Sequence, residues 1–231
     1  MQVGETKMNH ERYLTIKGYT RHEIVIEKSR FICTMERVGS EEEARAFIQS
    51  VRKEHYNATH NCYAYIIGED RLHQKANDDG EPSGTAGIPM LEVLRKNHLT
   101  DIATVVTRYF GGIKLGAGGL IRAYSTAVSE TLKKAQMIER KRMQVMAIKA
   151  DYADIGLLEA KLDPQSIVNK TYMERVTFEV IVPVEEVEAW EAWFTDLTHA
   201  KIPYERKALK FIEVPIPFPS ENEYRSNMPR N

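Results

Sequence analysis

The chain has 231 residues, of which 42% are hydrophobic and 28% charged, and a formal net charge of −1 at pH 7. These values predict one large or two small globular domains with substantial cores. No segment approaches the roughly 18 consecutive apolar residues of a membrane span. The opening segment MQVGETKMNHERY lacks the apolar stretch of a secretion signal. We therefore expect neither a membrane-spanning nor a secreted protein.

The chain has two cysteines, Cys33 and Cys62, and each lies inside an apolar, strand-like run. Two distant and buried thiols do not form a disulfide framework, and they are typical of a reducing compartment. We therefore expect a cytoplasmic protein.

Strands and helices are both predicted in the N-terminal half. Strands are predicted over residues 13–16, 22–26 and 30–37, with a hairpin joining the second and third. Ser40 and Glu43 form a capping box that begins a helix. Strands are then predicted over residues 61–67 and 71–76, followed by a polar loop over 77–87 and a helix over 89–97. A buried strand over 102–109, a Gly-rich loop over 111–119 and a helix from 120 to about 137 complete this half.

A second series of predicted strands and helices begins after a basic run at residues 139–142. Strands over 144–150, 166–171, 175–182 and 206–214 alternate with helices over 155–162 and 184–198. This β-α-β-β-α-β order predicts a ferredoxin-like domain. Trp190 and Trp193 are expected in its core. We predict an N-terminal domain over 1–138, a ferredoxin-like domain over 139–216 and a flexible tail over 217–231.

Charge is unevenly distributed along the near-neutral chain. Residues 104–142 contain eight basic and two acidic residues, an excess of +6. Such a local excess is what a nucleic-acid-binding surface requires. The alternative is that these charges only solvate helix faces. The basic residues are Arg108, Lys114, Arg122, Lys133, Lys134, Arg140, Lys141 and Arg142.

A strand, a Gly-rich turn and a helix follow one another in R-Y-F-G-G-I-K-L-G-A-G-G-L-I-R, residues 108–122. Glycines permit close backbone approach, and a helix amino end attracts phosphate. The segment matches neither the P-loop nor the Rossmann fingerprint. The alternative is that the glycines only allow tight packing. The predicted polyanion-binding residues are Arg108, Gly111, Gly112, Lys114, Gly118, Arg122 and Lys133.

An acidic loop, D-D-G-E-P-S-G-T-A-G, forms residues 78–87. Its candidate site residues are Asp78, Asp79, Glu81 and Ser83. Carboxylates bind hard cations, but the spacing is not that of an EF-hand and is also typical of a tight turn. Asp79 or Glu81 is a candidate cap for the following helix.

Catalytic and metal motifs are weak in this sequence. His55, His60 and Cys62 lack the spacing of a zinc site, which favours a packing role for them. Neither G-x-S-x-G nor H-E-x-x-H occurs. We therefore assign no catalytic residue, no metal ligand and no cofactor.

Two long motifs resemble the signature of the IMPACT family: N-D-D-G-E-P-S-G-T-A-G-I-P-M-L-E-V-L and V-V-T-R-Y-F-G-G-I-K-L-G-A-G-G-L-I-R-A-Y. The upstream A-T-H-N-C-Y-A-Y is also similar, although Asn61 stands where the family pattern has a second histidine. The segment Y-A-D-I-G-L-L-E resembles the second domain of bacterial members.

The resemblance implies an N-terminal domain like the second domain of ribosomal protein S5, and a C-terminal domain like the last domain of elongation factor G. Eukaryotic relatives act as translational regulators. The residues that match the family motifs form a candidate surface: Asp78, Asp79, Glu81, Ser83, Arg108, Gly111, Gly112, Lys114, Gly118 and Arg122. Fold similarity gives a starting expectation of function and does not demonstrate it.

Three functional hypotheses remain. The first is a non-enzymatic regulator that binds RNA or the ribosome through a basic Gly-rich face. The second is an enzyme or binding protein for a small phosphorylated ligand, with Asp79 or Glu81 as Mg²⁺ ligand or base. The third is a protein-interaction module that uses the acidic loop. We favour the first, because no catalytic template matches. The sequence leaves the oligomeric state open.

Overall fold

A computed structural model of the chain describes residues 11–217. The strands are β1 (Arg12–Ile16), β2 (Thr20–Ile26), β3 (Ser29–Arg37), β4 (His60–Ile67), β5 (His73–Asn77), β6 (Ile102–Tyr109), β7 (Met137–Ala150), β8 (Ile167–Tyr172), β9 (Val176–Pro183) and β10 (Tyr204–Ile216). The α-helices are α1 (Glu41–Glu54), α2 (Gly87–Lys96), α3 (Gly116–Leu132), α4 (Ile155–Lys161) and α5 (Val187–Thr198). None of the described helices has both the length and the apolar character to cross a membrane.

The described residues form two compact units. The first extends to Glu139 and includes the chain again from Val214, and the second is Arg140–Glu213. The division falls inside β7 rather than in a linker, so the basic run at 139–142 belongs to a strand. Met137, Ile138 and Met143 are buried on either side of that run, and their burial keeps the segment extended. Beyond residue 217, the tail predicted over 217–231 lies outside the described residues.

The first unit contains a five-stranded sheet in the order β2-β3-β6-β4-β5. Each neighbouring pair is antiparallel. Alternate side chains of a strand point to opposite faces, so Cys62, Ala64 and Ile66 join the core that contains α2 and α3. Tyr65 and Ile67 join a second core with the apolar side of α1. The sheet therefore has two helices on one face and one on the other.

Local sequence signals fix the first hairpin and the first helix. Glu27 and Lys28 both have positive φ, at 46° and 61°, between the paired residues Ile26 and Ser29. That geometry is the two-residue turn whose twist suits a hairpin. Ser40 accepts a hydrogen bond from the Glu43 N–H, which confirms the predicted helix cap.

The other sheet has five strands in the order β1-β7-β9-β8, with β10 also paired to β7. Pairing of β7 to β9 and of β8 to β9 is antiparallel. The four strands that form the second unit therefore lie in the order β10-β7-β9-β8. This is the strand order of the predicted ferredoxin-like arrangement. Its core includes Phe178 and Phe194. Trp190 stacks on Phe194 with ring centroids 4.9 Å apart, whereas Trp193 is 41% exposed. Only one of the two tryptophans therefore packs as predicted.

Candidate nucleic-acid interface

The acidic loop and the Gly-rich turn meet over a buried ion pair. Arg108, near the end of β6, donates from Nη1 to Glu81 Oε1 at 2.7 Å. The same carboxylate oxygen accepts from the Tyr124 hydroxyl of α3 at 2.8 Å. The side chains of Arg108 and Glu81 are only 6% and 3% exposed. Strand β6, helix α3 and the acidic loop are therefore joined at one point.

Arg108 lies in the interior and not on the surface predicted from the sequence. Its guanidinium carbon lies 5.3 Å from the ring centroid of Phe31 and 5.4 Å from that of Phe110. A buried guanidinium requires a paired carboxylate to offset the cost of desolvation. Glu81 meets that need, so the Arg108 guanidinium is not available to bind a polyanion in this structure.

Asp78 organises the acidic loop by accepting three backbone hydrogen bonds. Its carboxylate accepts from the N–H groups of Gly84, Ala86 and Gly87. Burial raises the pKa of Asp78, but the three N–H donors outweigh burial and hold the pKa below its usual value. Two of these donors lie at the start of α2. The helix is thus capped by Asp78, and not by Asp79 or Glu81 as the sequence suggested.

Asp79 is also used inside the fold. Its carboxylate accepts from Arg52 Nη2 at 2.6 Å and from the Asn61 N–H at 2.6 Å. Asp79 has a positive φ of 44°, which an aspartate tolerates better than most residues. Ser83 is exposed. All three carboxylates of the loop therefore have internal partners, which favours a structural role for the acidic loop.

The histidines and the cysteine of the zinc hypothesis have separate partners. His55 contacts Tyr109 and Arg21, and His60 Nδ1 contacts the Asp79 carbonyl at 2.8 Å. Cys62 lies against the Asp78 carbonyl and the Tyr124 hydroxyl. Burial raises the pKa of Cys62 to about 12 and also raises that of Tyr124. Across residues 11–217, no three His, Cys, Asp or Glu side chains are grouped as a metal site.

Glycine is required at different positions of the Gly-rich turn for different physical reasons. A Cβ on Gly111 would lie 2.1 Å from the Lys28 carbonyl carbon and 2.4 Å from the Ser29 nitrogen. Only glycine permits this approach of the turn to the β2–β3 hairpin. Gly112 has a φ of +87°, and beyond its chain neighbours no atom of a described residue lies within 4 Å of the point that a Cβ would occupy. Gly111 therefore serves packing, whereas Gly112 serves backbone conformation on the exposed side.

Helix α3 begins at Gly116, four residues earlier than predicted, so Gly118 belongs to its first turn. Within residues 11–217 no side chain caps its amino end, and no acidic residue occurs in its first turn. Nη1 of Arg122 lies 3.5 Å from the position of a Cβ on Gly118, because helical side chains lean toward the amino end. A cation therefore lies beside the positive end of the helix dipole, where an anion is favoured.

The remaining basic residues differ in whether a carboxylate already pairs with them or leaves them available to bind phosphate. Lys114 and Arg122 are exposed, and neither is in an ion pair with another described residue. Lys133 follows α3 and pairs with Glu130 at 2.6 Å, and Arg140 pairs with Glu213 at 3.5 Å. We define the α3 amino-end surface as Gly112, Lys114, Gly118 and Arg122. Its combination of cations and uncapped N–H groups suits phosphate oxygens.

Two neighbours of this surface were missed in the sequence. Lys28 is exposed, and its backbone lies directly against Gly111. Phe110 is 47% exposed at the start of the Gly-rich turn. The hairpin signal placed Lys28 in a turn, but no sequence pattern shows which other loop that turn contacts. An aromatic residue just before a glycine pair was the available signal for Phe110.

These features define a two-unit α+β protein, in which two signature loops meet over a buried ion pair beside an uncapped helix. The family model of the Impact N-terminal domain matches residues 27–132. The family model described as Domain of unknown function (DUF1949) matches residues 148–201. The chain belongs to the IMPACT family, as two curated relatives show.

IMPACT family member YvyE of Bacillus subtilis is 53% identical over 213 residues, which cover 91% of this chain and 98% of the relative. IMPACT family member YigZ of Escherichia coli is 35% identical over 181 residues, which cover 77% of this chain and 89% of the relative. A crystal structure of a hypothetical protein is 33% identical with a TM-score of 0.56, covering 86% of this chain and 98% of that one. The family resemblance is thereby confirmed, while the likenesses to ribosomal protein S5 and elongation factor G stay predictions.

Proposed function

We propose that this protein is a non-enzymatic, cytoplasmic regulator associated with translation, which binds RNA or the ribosome through the α3 amino-end surface. The observation that supports this most is the cationic, uncapped amino end of α3. Arg122 leans over Gly118 in a first turn that has no acidic residue, and Lys114 lies two residues before the helix. A phosphate group would relieve this unfavourable accumulation of positive charge.

The link to translation is supported by the family. The chain belongs to the IMPACT family, and the sequence resemblance implies translational regulation because eukaryotic relatives act in that way. RNA is the abundant polyanion of the translation machinery, and its phosphates are the natural counter-charge for Lys114 and Arg122.

Binding is favoured over catalysis because the two candidate catalytic carboxylates are already paired with arginines. The alternative enzyme needs Asp79 or Glu81 to hold Mg²⁺ or to act as a base. Asp79 is paired with Arg52 at 2.6 Å, and Glu81 with Arg108 at 2.7 Å. Both carboxylates would have to leave stable partners before they bound a cation. A thermal-shift screen with nucleotides and Mg²⁺ tests the alternative, since a specific shift would favour it.

The direct test is co-sedimentation of the full chain with ribosomes or bulk RNA. Lys114→Glu combined with Arg122→Glu is expected to abolish co-sedimentation, because each substitution replaces attraction to phosphate by repulsion. The control is Lys53→Glu combined with Lys75→Glu, two exposed lysines of the same unit that lie outside the surface. Equal co-sedimentation of the wild type and the Lys114/Arg122 variant would refute the proposal.

A further inference from the structure

Phe110 is an exposed aromatic residue whose backbone is held firmly in place. It is 47% exposed, yet its N–H donates to Thr59 Oγ1 at 3.0 Å. The next N–H, that of Gly111, donates to Ser29 Oγ at 3.1 Å. These two bonds attach the turn to neighbouring segments, so the backbone that carries the ring is held in place before any ligand arrives.

The ring of Phe110 also rests on a fixed support. The Arg108 guanidinium lies 5.4 Å from its centroid and 5.3 Å from that of Phe31, and Phe31 is fully buried. Glu81 holds the guanidinium in turn. A rigid aromatic ring offers contact area at a low cost in conformational entropy. Nearly half of Phe110 nevertheless remains in contact with solvent.

The surroundings of Phe110 combine apolar area with positive charge. Ile113 is 38% exposed and Ile121 is 41% exposed. Lys114 is four residues from Phe110, so its Cα lies at most about 14 Å away. Exposed Lys28 belongs to the hairpin turn against which Gly111 packs; Glu27 in the same turn is also exposed. A ligand with flat apolar faces and an anionic backbone complements this arrangement.

We infer that Phe110 is a stacking site for an unpaired base, so that the preferred ligand of the α3 amino-end surface is single-stranded RNA. The inference rests on the proposed function and specifies its substrate class. Bases in a duplex are stacked on one another and hidden from side chains, whereas bases of loops and single strands stack on aromatic rings. Lys114 and Arg122 would neutralise phosphates of the same strand.

The test compares two forms of one RNA sequence, a labelled single-stranded oligonucleotide and its duplex, by fluorescence anisotropy with the full chain. Phe110→Leu keeps an apolar side chain on Arg108 but removes the ring. It is expected to weaken single-strand binding at least about five-fold, the low end of the effect of one stacked base. Duplex binding should change less than about two-fold, and Phe110→Trp should retain single-strand binding because indole also stacks.

A control variant and the pattern of results distinguish failure of the stacking site from failure of the proposed function. Tyr172→Leu removes an aromatic residue that is 58% exposed in the second unit and should leave both affinities unchanged. If Phe110→Leu binds the single strand as the wild type does, or weakens both RNA forms equally, the stacking site is refuted while the proposed function stands. If the wild type binds neither RNA nor ribosomes, both fail. If Phe110→Leu instead abolishes capture of a protein partner, that result identifies a protein-docking site and also overturns the inference.

Discussion

Arg108 and Glu81 lie 27 positions apart in the sequence, and their ion pair joins the two signature motifs in the folded protein. Each motif by itself suggests a ligand-binding residue, but the charges are buried against each other at 2.7 Å. The Tyr124 hydroxyl adds a further hydrogen bond to Glu81. A buried ion pair is costly to break because the remaining charge has no water to solvate it.

Replacing Arg108 by methionine should therefore reduce the free energy of unfolding by about 3 kcal/mol, since Glu81 would be left without its cation. Urea unfolding measures the effect. The control is Arg45→Met, which removes an Arg–Glu pair with side chains 67% and 41% exposed and should cost less than about 1 kcal/mol. The double variant Arg108→Met, Glu81→Leu should recover part of the lost stability. Equal costs for Arg108→Met and Arg45→Met would contradict the structural role.

His55 predicts a pH dependence of stability. Burial, and then the positive charge of Arg21, hold the pKa of His55 below its ordinary 6.5. The unfolded chain therefore binds a proton at a higher pH than the native state does, and stability falls as the pH drops below about 6.5. Wild-type protein should lose more stability between pH 7.5 and 5 than His55→Asn does in the same urea titrations. His73→Asn, at an exposed position of β5, should behave as the wild type; identical pH profiles for all three proteins would rule out the effect.

Among the elements, the Gly-rich turn and the start of α3 form one continuous segment of the chain. The turn packs against the β2–β3 hairpin at Gly111, and the helix begins five residues later at Gly116. Gly111 and Gly118 are therefore not equivalent, and alanine at these two positions should change stability in opposite directions.

Gly111→Ala should destabilise the protein by about 1–3 kcal/mol, because its methyl group would overlap the backbone of Lys28 and Ser29. Gly118→Ala should stabilise it by about 0.5–1 kcal/mol, since alanine favours a helix. The nearest atom to the new methyl group is Arg122 Nη1, at an unstrained 3.5 Å. Thermal and urea unfolding of the pair compare the two positions. Similar changes of the same sign would contradict the difference between Gly111, which packs on backbone, and Gly118, which has room for a methyl group.

Much of this element structure could be predicted from the sequence, and the exceptions have physical causes. The β-rich apolar run of β4 and the capping box of α1 are local signals, and both were confirmed. The start of α3 was misplaced because glycine has a low helix propensity. Strand β7 was predicted too short because residues 139–142 have the charge of a solvated connection. The partner of Arg108 could not be predicted, since nothing local in the sequence pairs it with Glu81.

At the scale of the whole molecule, the net charge is −1, although the α3 amino-end surface is locally cationic. The basic excess predicted over residues 104–142 is reduced by internal pairing, because Arg108, Lys133 and Arg140 each have an acidic partner. Of the other basic residues in this range, Lys114 and Arg122 belong to the α3 amino-end surface and are the candidate phosphate ligands. Each unit has its own core, and the proposed contact with RNA lies on the first.

The salt dependence of RNA binding tests the central claim most directly. Each neutralised phosphate of a single strand contributes about 0.7 to the slope of log affinity against log salt. We predict that Lys114→Gln combined with Arg122→Gln lowers the magnitude of this slope by about 1.4, while Lys53→Gln combined with Lys75→Gln leaves it unchanged. A wild-type slope retained by the Lys114/Arg122 variant would show that these two cations contact no phosphate and would contradict the account.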